Sequence, residues 1–316
     1  MDMTAPLIAT PAAPIPPRGG AEWFTGFGGA RLRAALFAPE GQPRGSVVLS
    51  PGRTEVIEKY FEVVGELTAR GFVVLVHDWR GQGLSHRGLP DRLKGHAAGY
   101  QEFLGDYRAL LDAFAERLPK PWIAIGHSMG GCLTALALAH GEGRFAGAVL
   151  SAPMLGLSAT RKVFGARALA WLSARLGRAG GYVLNQPGDP FGENFAANIL
   201  THDPDRYARQ CGQVAACRDL ALGGPTWGWL DFAFSATGWL ARPANAARLT
   251  TPLVIVGAGD DRLVDNDGSR RLAAQAPHAR YVEVDGAYHE ILMETDDLRA
   301  AFWREFDALA SQVAPA

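Results

Sequence analysis

The fold of this chain is decided by one stretch, Trp122-Ile123-Ala124-Ile125-Gly126-His127-Ser128-Met129-Gly130-Gly131. Its first residues are apolar and follow a proline, which predicts a short buried strand, and residues 132–139 predict a helix. A G-x-S-x-G pattern between a strand and a helix is typical of a nucleophile elbow. Glycine lacks a Cβ atom and so permits the sharp turn that exposes the serine. We interpret Ser128 as a nucleophile; the alternative is a glycine-rich turn with an incidental serine.

The residue after the serine opens the predicted helix. The first N–H groups of a helix have no partner within the helix, and its N-terminus carries a partial positive charge. We therefore expect the backbone N–H of Met129 to donate a hydrogen bond to an oxyanion that forms on a substrate.

Further apolar runs predict the strands of one sheet. They lie at residues 46–50, 72–77, 146–151, 252–257 and 281–284, after an opening hairpin at 23–37. Helical patterns at 59–70, 100–118 and 298–309 alternate with them. This alternation of helices with continuous apolar strands predicts an α/β fold, in which helices cover both faces of a mostly parallel sheet. Ligands of such sheets bind outside the carboxyl ends of the strands, where Ser128 lies.

Changes in pattern divide the chain into three parts. Residues 1–20 are rich in alanine and proline and are predicted to be a disordered leader. Residues 21–153 and 249–316 carry the strand–helix alternation and form the predicted core. Residues 154–248 show helical runs, one of them at 162–176, but no strand of that type. We interpret this segment as a helical cap that is inserted between two strands.

The predicted cap holds four tryptophans, at positions 171, 227, 229 and 239. Aromatic side chains over a serine nucleophile predict an apolar substrate. We expect Trp227 and Trp229 to form one wall of its pocket, because they supply a large apolar area in one short segment. For most of the aromatic residues of the cap, we favour the interpretation that they only attach the cap to the core.

Charge and cysteine usage exclude several classes of function. Lysine and arginine number 31 against 32 for aspartate and glutamate, so no strong field favours nucleic acid or an acidic partner. The three cysteines, Cys132, Cys211 and Cys217, are too few and too scattered for a disulfide framework. They form no C-x-x-C motif, and no histidine cluster accompanies them, so we predict no metal site. Cys132 is expected to be a small core residue.

The sequence also bears on location. Five prolines interrupt the first twenty residues before an apolar signal-peptide core could form. No run approaches the roughly 20 apolar residues that a spanning helix needs. We expect a cytoplasmic protein, and any membrane contact would be peripheral, at the inner membrane face. The sequence predicts no particular oligomeric state.

A serine hydroxyl needs a base, and the base needs an orienting carboxylate. In chains with this elbow, the acid and then the histidine follow the serine. Among the histidines after the nucleophile, only His289 lies in a loop that follows a predicted strand. The loop after strand 252–257 holds three aspartates, Asp260, Asp261 and Asp265, and all three are candidates for the acid.

Several stretches resemble the α/β-hydrolases of the monoacylglycerol-lipase-like group, and within it the bacterial lysophospholipases. The resemblance covers the chain from about residue 20 to the C-terminus. The matching stretches are Ser50-Pro51-Gly52-Arg53-Thr54-Glu55, Asp78-Trp79-Arg80-Gly81-Gln82-Gly83-Leu84-Ser85, Gly126-His127-Ser128-Met129-Gly130-Gly131, Asn198-Ile199-Leu200-Thr201-His202, Gly223-Gly224-Pro225-Thr226 and Gly286-Ala287-Tyr288-His289-Glu290-Ile291-Leu292.

This resemblance implies roles for particular residues. Ser128 corresponds to the nucleophile, His289 to the base, and Asp261, in the D-R-x-x-D pattern, to the acid. The oxyanion hole would consist of the backbone N–H groups of Met129 and Arg53. Many relatives have His-Gly directly before the residue that corresponds to Arg53, whereas this chain has Pro51-Gly52. Pro-Gly at this place is a feature of the lysophospholipase-like subgroup.

The resemblance implies a serine hydrolase without a cofactor, which removes the acyl chain of a lysophospholipid through an acyl-enzyme. A monoacylglycerol lipase and a general carboxylesterase are the nearest alternatives. An aminopeptidase or amidase would need acidic groups in the cap, and Glu193, Asp203, Asp205 and Asp231 are candidates. A non-catalytic binding protein is disfavoured because all three triad members are present. The Arg53 side chain is a candidate phosphate ligand, although loop arginines are commonly solvated.

Overall fold

A computed structural model of the chain describes residues 3–158, 165–192 and 194–315. These residues form a nine-stranded sheet with the strand order β1-β2-β3-β5-β4-β6-β7-β8-β9. The strands are β1 (Thr4–Ala5), β2 (Gly19–Thr25), β3 (Arg31–Phe37), β4 (Gly45–Ser50), β5 (Phe72–His77), β6 (Trp122–His127), β7 (Phe145–Ser151), β8 (Leu253–Ala258) and β9 (Ala279–Val284).

The sheet is mostly parallel, as predicted. Strands β4 to β9 pair in parallel, while β1, β2 and β3 form an antiparallel edge that joins the rest through β5. Every residue of β4, β5, β6 and β8 is buried. Continuous apolar strands fit this position because helices cover both faces of a parallel sheet. The carboxyl ends of β6, β8 and β9 therefore lie at the same edge.

The α-helices of the described residues are α1 (Phe61–Ala69), α2 (Tyr100–Phe114), α3 (Met129–Ala139), α4 (Ala166–Ser173), α5 (Pro204–Ala216), α6 (Trp227–Leu240), α7 (Pro243–Ala246), α8 (Asn266–Gln275) and α9 (Asp296–Val313). All eleven residues of α3 are buried, so other parts of the protein surround this helix on every side. None of these helices combines the length and the apolar composition needed to cross a bilayer.

The predicted disordered leader is wrong for residues 3–20. Thr4 and Ala5 pair with β2, and Ala13 is buried. Proline excludes helix here but allows extended backbone, which carries small apolar side chains along the core surface. The backbone also has partners in the core, since Pro6 O accepts a hydrogen bond from Arg33 Nη1 at 2.9 Å and Ile8 N donates one to Glu58 at 3.2 Å.

Arg33 holds this edge of the sheet together. Its side chain is fully buried and binds Glu58 at 2.8 Å and Asp78 at 2.7 Å. Asp78 in turn accepts backbone N–H groups from Ile57 at 3.0 Å and Leu84 at 2.9 Å. Buried charges persist only where such partners satisfy them. The network therefore fixes the loops after β4 and β5 relative to β3.

Between β7 and β8, the described residues contain helices and loops but no strand of the sheet. Helix α4 occupies part of the helical run that we predicted at 162–176, and positions 162–164 of that run lie outside the described residues. Helix α6 packs on the core, where the rings of Phe232 and Phe103 lie 5.0 Å apart between centroids. The boundaries of the cap at 154 and 248 stay a prediction.

Candidate active site

The backbone of Ser128 is strained. Its φ of 51° and ψ of −117° lie outside the regions that side-chain-bearing residues prefer, a conformation that costs on the order of 1–3 kcal/mol. Neighbouring backbone groups hold it there. Ser128 N donates to Ser151 O at 3.0 Å, and Ser128 O accepts from Cys132 N at 3.0 Å and from Met154 N at 2.9 Å.

The elbow glycines are required by close packing. A Cβ atom on Gly130 would overlap the carbonyl oxygens of Ser50 and Pro51, at the end of β4. A Cβ atom on Gly126 would lie 2.8 Å from Gly131 Cα. The pattern G-x-S-x-G therefore reflects contact between the elbow, its own helix and the neighbouring strand. Cys132 is fully buried one turn into α3, and burial raises its thiol pKa to about 12.

Three side chains predicted from distant parts of the sequence meet at this edge of the sheet. His289 Nε2 lies 2.9 Å from Ser128 Oγ, and His289 Nδ1 lies 2.7 Å from Asp261 Oδ2. With the proton on Nδ1 donated to the aspartate, Nε2 is free to accept the serine hydroxyl hydrogen. This arrangement is suited to nucleophilic attack by the serine on an acyl carbonyl.

The structure brings Asp261 to the histidine and leaves the other two aspartates elsewhere. Asp261 Oδ1 accepts the N–H groups of Leu263 at 2.8 Å and Val264 at 3.0 Å. Burial raises the pKa of Asp261, but hydrogen bonds from His289 and from these N–H groups outweigh it and hold the pKa below its usual value. Asp260 is exposed, and Asp265 caps helix α8 through Asp267 N at 3.0 Å.

The two predicted oxyanion donors follow β6 and β4, which end at the edge of the sheet where Ser128 lies. Met129 N is the first N–H of α3, and Arg53 lies in the loop after β4. Within the described part of the chain, neither backbone N–H donates a hydrogen bond. Both groups are therefore free to bind an oxygen of a ligand.

The loop of Arg53 is held by three side chains for which the sequence predicted no role. The Glu55 carboxylate accepts the N–H of Gly52, and Gln82 Nε2 donates to Gly52 O at 2.7 Å. Trp79 Nε1 donates to Pro51 O at 2.8 Å. The only signal for these residues was their place in the stretches that carry the family resemblance. The N–H groups of Gly52 and Thr54, on either side of Arg53, thus have acceptors, whereas the Arg53 N–H has none among the described residues.

A buried charge cluster lies beside the triad. Lys59 Nζ binds Glu55 at 2.7 Å and Glu290 at 2.5 Å, so it joins the loop of Arg53 to the loop of His289. Burial raises the pKa of Glu55, but Lys59 and His127 outweigh this and lower it to about 2. Burial lowers the pKa of His127 to about 4, so this ring is neutral at neutral pH.

A cavity of about 450 Å³ opens onto Ser128 and His289, within the size range of small-molecule sites. Its walls are mostly apolar, and they include both tryptophans that we expected there, Trp227 and Trp229. The other two tryptophans of the predicted cap do not line the cavity. Trp239 stacks on His140 with 4.2 Å between ring centroids, and Trp171 is 49% exposed. The remaining apolar lining is Met154, Leu157, Ala166, Leu169, Val183, Leu184, Leu200, Pro225, Leu230, Leu263 and Val264.

Three of the four acidic residues proposed for amine binding are described, and none of the three lines this cavity. Asp203 caps α5 and binds Arg206 at 2.7 Å, Asp205 is exposed, and Asp231 lies 3.7 Å from Arg175. The fourth candidate, position 193, lies outside the described residues. Among the described residues, the carboxylates that line the cavity are Glu55 and Glu290, and both bind Lys59.

The chain is similar to known proteins in sequence and in fold. Residues 41–296 match the family described as serine aminopeptidase, S33. The chain is 34% identical to lysophospholipase L2 of Escherichia coli K12, over 88% of this chain and 83% of that one. It is 30% identical to monoacylglycerol lipase of Mycolicibacterium smegmatis, over 86% and 91%. A monoglyceride lipase variant of Saccharomyces cerevisiae shares the fold, with a TM-score of 0.73 at 19% identity over 98% and 99% of the two chains.

Replacing each of the three candidate aspartates by asparagine should identify the acid of the triad. Asp261→Asn should slow both fluorophosphonate labelling of Ser128 and hydrolysis of nitrophenyl butyrate, because asparagine favours the wrong imidazole tautomer. The loss in a serine-protease triad is on the order of 10⁴-fold. Asp260→Asn changes an exposed group, and Asp265→Asn keeps a good helix cap, so both should stay within about threefold. A larger loss in either control than in Asp261→Asn would contradict the assignment.

Proposed function

The chain belongs to the serine aminopeptidase S33 family of α/β-hydrolases, and we propose that it hydrolyses the acyl ester of a single-acyl glycerolipid, foremost a lysophospholipid. The observation that carries the proposal is the Ser128–His289–Asp261 chain of hydrogen bonds, which faces an apolar cavity. The 34% identity to a lysophospholipase over most of both chains supports the choice of substrate.

The reaction follows from the site's geometry. Ser128 Oγ attacks the ester carbonyl while His289 Nε2 accepts its proton, and Asp261 stabilises the imidazolium that forms. The carbonyl oxygen, now an oxyanion, accepts the N–H groups of Met129 and Arg53. His289 returns the proton to the departing glycerol oxygen. In the second half of the reaction, His289 Nε2 accepts a proton from water as the water attacks the acyl-enzyme carbonyl. His289 then returns the proton to Ser128 Oγ, which releases the fatty acid and restores the serine.

The cavity walls support an alkyl chain as the acyl group. Trp227, Trp229 and Leu230 come from α6 and face the same cavity as the nucleophile. Burying each methylene of the chain contributes about 0.8 kcal/mol. In this proposal the triad supplies the chemistry, and the segment between β7 and β8 supplies the selectivity for a lipid.

Monoacylglycerol is the second candidate substrate, and the similarity to a monoacylglycerol lipase favours it. Amide or peptide hydrolysis is a weaker candidate despite the family's description. A free amine needs an available carboxylate, and the carboxylates of Glu55 and Glu290 already bind Lys59. A general carboxylesterase uses the same triad and differs only in the range of chains that it accepts.

We also place the proposed membrane contact on the segment above the cavity. Leu169, Leu172, Leu176 and Leu184 are between 46% and 69% exposed, and two of them, Leu169 and Leu184, also line the cavity. Large exposed apolar side chains in one segment are typical of interaction surfaces. A lipid that leaves a bilayer at this surface would have a short apolar path to Ser128. We propose a peripheral contact with the inner membrane face.

A substrate panel tests the proposed function. Wild-type protein should release fatty acid from oleoyl lysophosphatidylethanolamine and from oleoylglycerol, with little action on leucine nitroanilide. Ser128→Ala should lower turnover by several orders of magnitude because the nucleophile is lost, and circular dichroism should show an intact fold. Faster hydrolysis of the anilide than of the esters would identify an amidase. Retained ester turnover in Ser128→Ala would exclude Ser128 as the nucleophile.

A chain-length series tests the pocket wall. For nitrophenyl esters, kcat/KM should rise by up to about fourfold per added methylene until the pocket is full. Trp227→Ala and Trp229→Ala should flatten this rise and leave the shortest ester little affected. Trp239→Ala is the matched control, because its ring packs on His140 and not on the cavity. An unchanged slope in the first two variants, with only a lower melting temperature, would refute their role.

Vesicle sedimentation tests the membrane contact. Wild-type protein should bind vesicles of phosphatidylethanolamine and phosphatidylglycerol. A Leu172→Glu, Leu176→Glu double variant should bind at least about tenfold more weakly, because two apolar anchors become charged. Phe27→Glu is the matched control, since Phe27 is 55% exposed but lies in the turn after β2. Equal binding by the wild type and the double variant would remove this surface from the proposal.

A further inference from the structure

The Arg53 side chain lines the cavity instead of extending into solvent. Its Nη2 donates to Gly223 O, across to the segment between β7 and β8, and its guanidinium carbon lies 5.2 Å from the centroid of the Trp229 ring. The Nε atom is buried and has no hydrogen-bond partner among the described residues. The Arg53 side chain is therefore half-buried in the cavity wall rather than freely solvated, and its Nε donor is left unsatisfied.

No carboxylate within the described residues forms an ion pair with Arg53. Three buried arginines bind carboxylates: Arg33 binds Glu58, Arg206 binds Glu62, and Arg299 binds Glu66. Arg87, which is half-buried like Arg53, instead donates to several backbone carbonyls, among them Gly81 O and Gly83 O. Among the described residues, Arg53 has Gly223 O alone as an acceptor. Burial lowers the pKa of Arg53 to about 10, which still leaves it charged at neutral pH. A charge that is partly withdrawn from water without a counterion is costly, so an anion that entered the cavity would gain a favourable partner.

The carboxylates that line the cavity do not supply this counterion. Glu55 and Glu290 bind Lys59 at 2.7 Å and 2.5 Å, and Glu55 also accepts a hydrogen bond from Tyr60 OH at 2.6 Å. Both acids are therefore engaged in their own buried cluster. Among the described residues that line the cavity, the guanidinium of Arg53 is the cation that still has a free donor.

We propose that the Arg53 guanidinium binds the phosphate group of an amphiphilic substrate and so makes the enzyme prefer a lysophospholipid to a neutral monoacylglycerol. This inference rests on the proposed function. Guanidinium presents a planar fork of N–H groups that matches phosphate oxygens. Because the backbone N–H of Arg53 is a proposed oxyanion donor, the guanidinium lies within one side-chain length of the scissile carbonyl. In a lysophospholipid, a glycerol unit of comparable length separates the ester from the phosphate.

The competing role for Arg53 is purely structural, as a brace between the loop after β4 and Gly223. Loss of a brace would disturb the oxyanion donor and would slow all substrates by a similar factor. Loss of a phosphate ligand would act on phosphate-bearing substrates alone. The two roles are therefore separated by the ratio of kcat/KM for two substrates with the same acyl chain.

The first measurement compares oleoyl lysophosphatidylethanolamine with oleoylglycerol. Arg53→Met should lower the ratio of their kcat/KM values by about 10- to 100-fold, because a buried charge-assisted hydrogen bond is lost, and Arg53→Lys should lower it less. Arg218→Met is the matched control: Arg218 also lies on an aromatic ring, 3.8 Å from the centroid of Phe191, but outside this cavity. An unchanged ratio in Arg53→Met would overturn the proposal.

The second measurement does not depend on turnover. Calorimetric titration of the Ser128→Ala protein should show tighter binding of decyl phosphate than of decanol, and the additional substitution Arg53→Met should abolish the difference. Inorganic phosphate should bind far more weakly than decyl phosphate. Equal affinities for decyl phosphate and decanol would overturn the inference even if the wild type hydrolyses lysophospholipids. Inorganic phosphate binding as tightly as decyl phosphate would instead indicate a site for the free ion and would also overturn it.

Discussion

The left-handed backbone of Ser128 is the constraint on which the rest of the site depends. It costs free energy, and it persists because three strands hold it: β6 carries the serine, Ser151 at the end of β7 accepts its N–H, and the carbonyls of Ser50 and Pro51 after β4 press against Gly130. The elbow and the loop of Arg53 are therefore in direct contact. A change in either one would move the other, so Ser128 and the proposed oxyanion donors are positioned as one unit.

Lys59 extends this unit to the histidine. It is buried between Glu55, which holds the loop of Arg53, and Glu290, which follows His289. A buried ion cluster of this kind contributes little net stability, because desolvation offsets most of the attraction. Its value here is geometric. One ammonium group fixes the distance between the loop of Arg53 and the loop of His289.

The segment between β7 and β8 provides the other half of the site. In the proposed function, the triad and the oxyanion donors would suit any ester. The apolar walls of Trp227 and Trp229 and the proposed phosphate ligand Arg53 would then discriminate between substrates. Arg53 belongs to both halves, since its backbone lies in the loop after β4 and its side chain reaches Gly223. In the proposed complex, a lysophospholipid would contact this one residue at the ester and at the phosphate.

The sequence by itself determined the strands of the sheet and singled out Ser128 as the candidate nucleophile. Strand β6, the glycines of the elbow and the parallel strands on either side are encoded locally, by apolar runs and by residues without a Cβ atom. Chain order then singled out His289, because it lies after a strand whose carboxyl end must meet the same edge of the sheet as Ser128. The family resemblance was needed to choose Asp261 over Asp260.

Only the tertiary structure decided what the side chains contact. The hydrogen bond between Ser128 and His289 joins residues 161 positions apart, and that between Arg53 and Gly223 joins residues 170 positions apart. Packing between distant segments likewise decides that residues 3–20 are ordered. It also decides which tryptophans of the segment between β7 and β8 line the cavity, which contact the core and which are exposed to solvent. Periodicity reports which face of an element is buried, but the partner on that face is set by the fold as a whole.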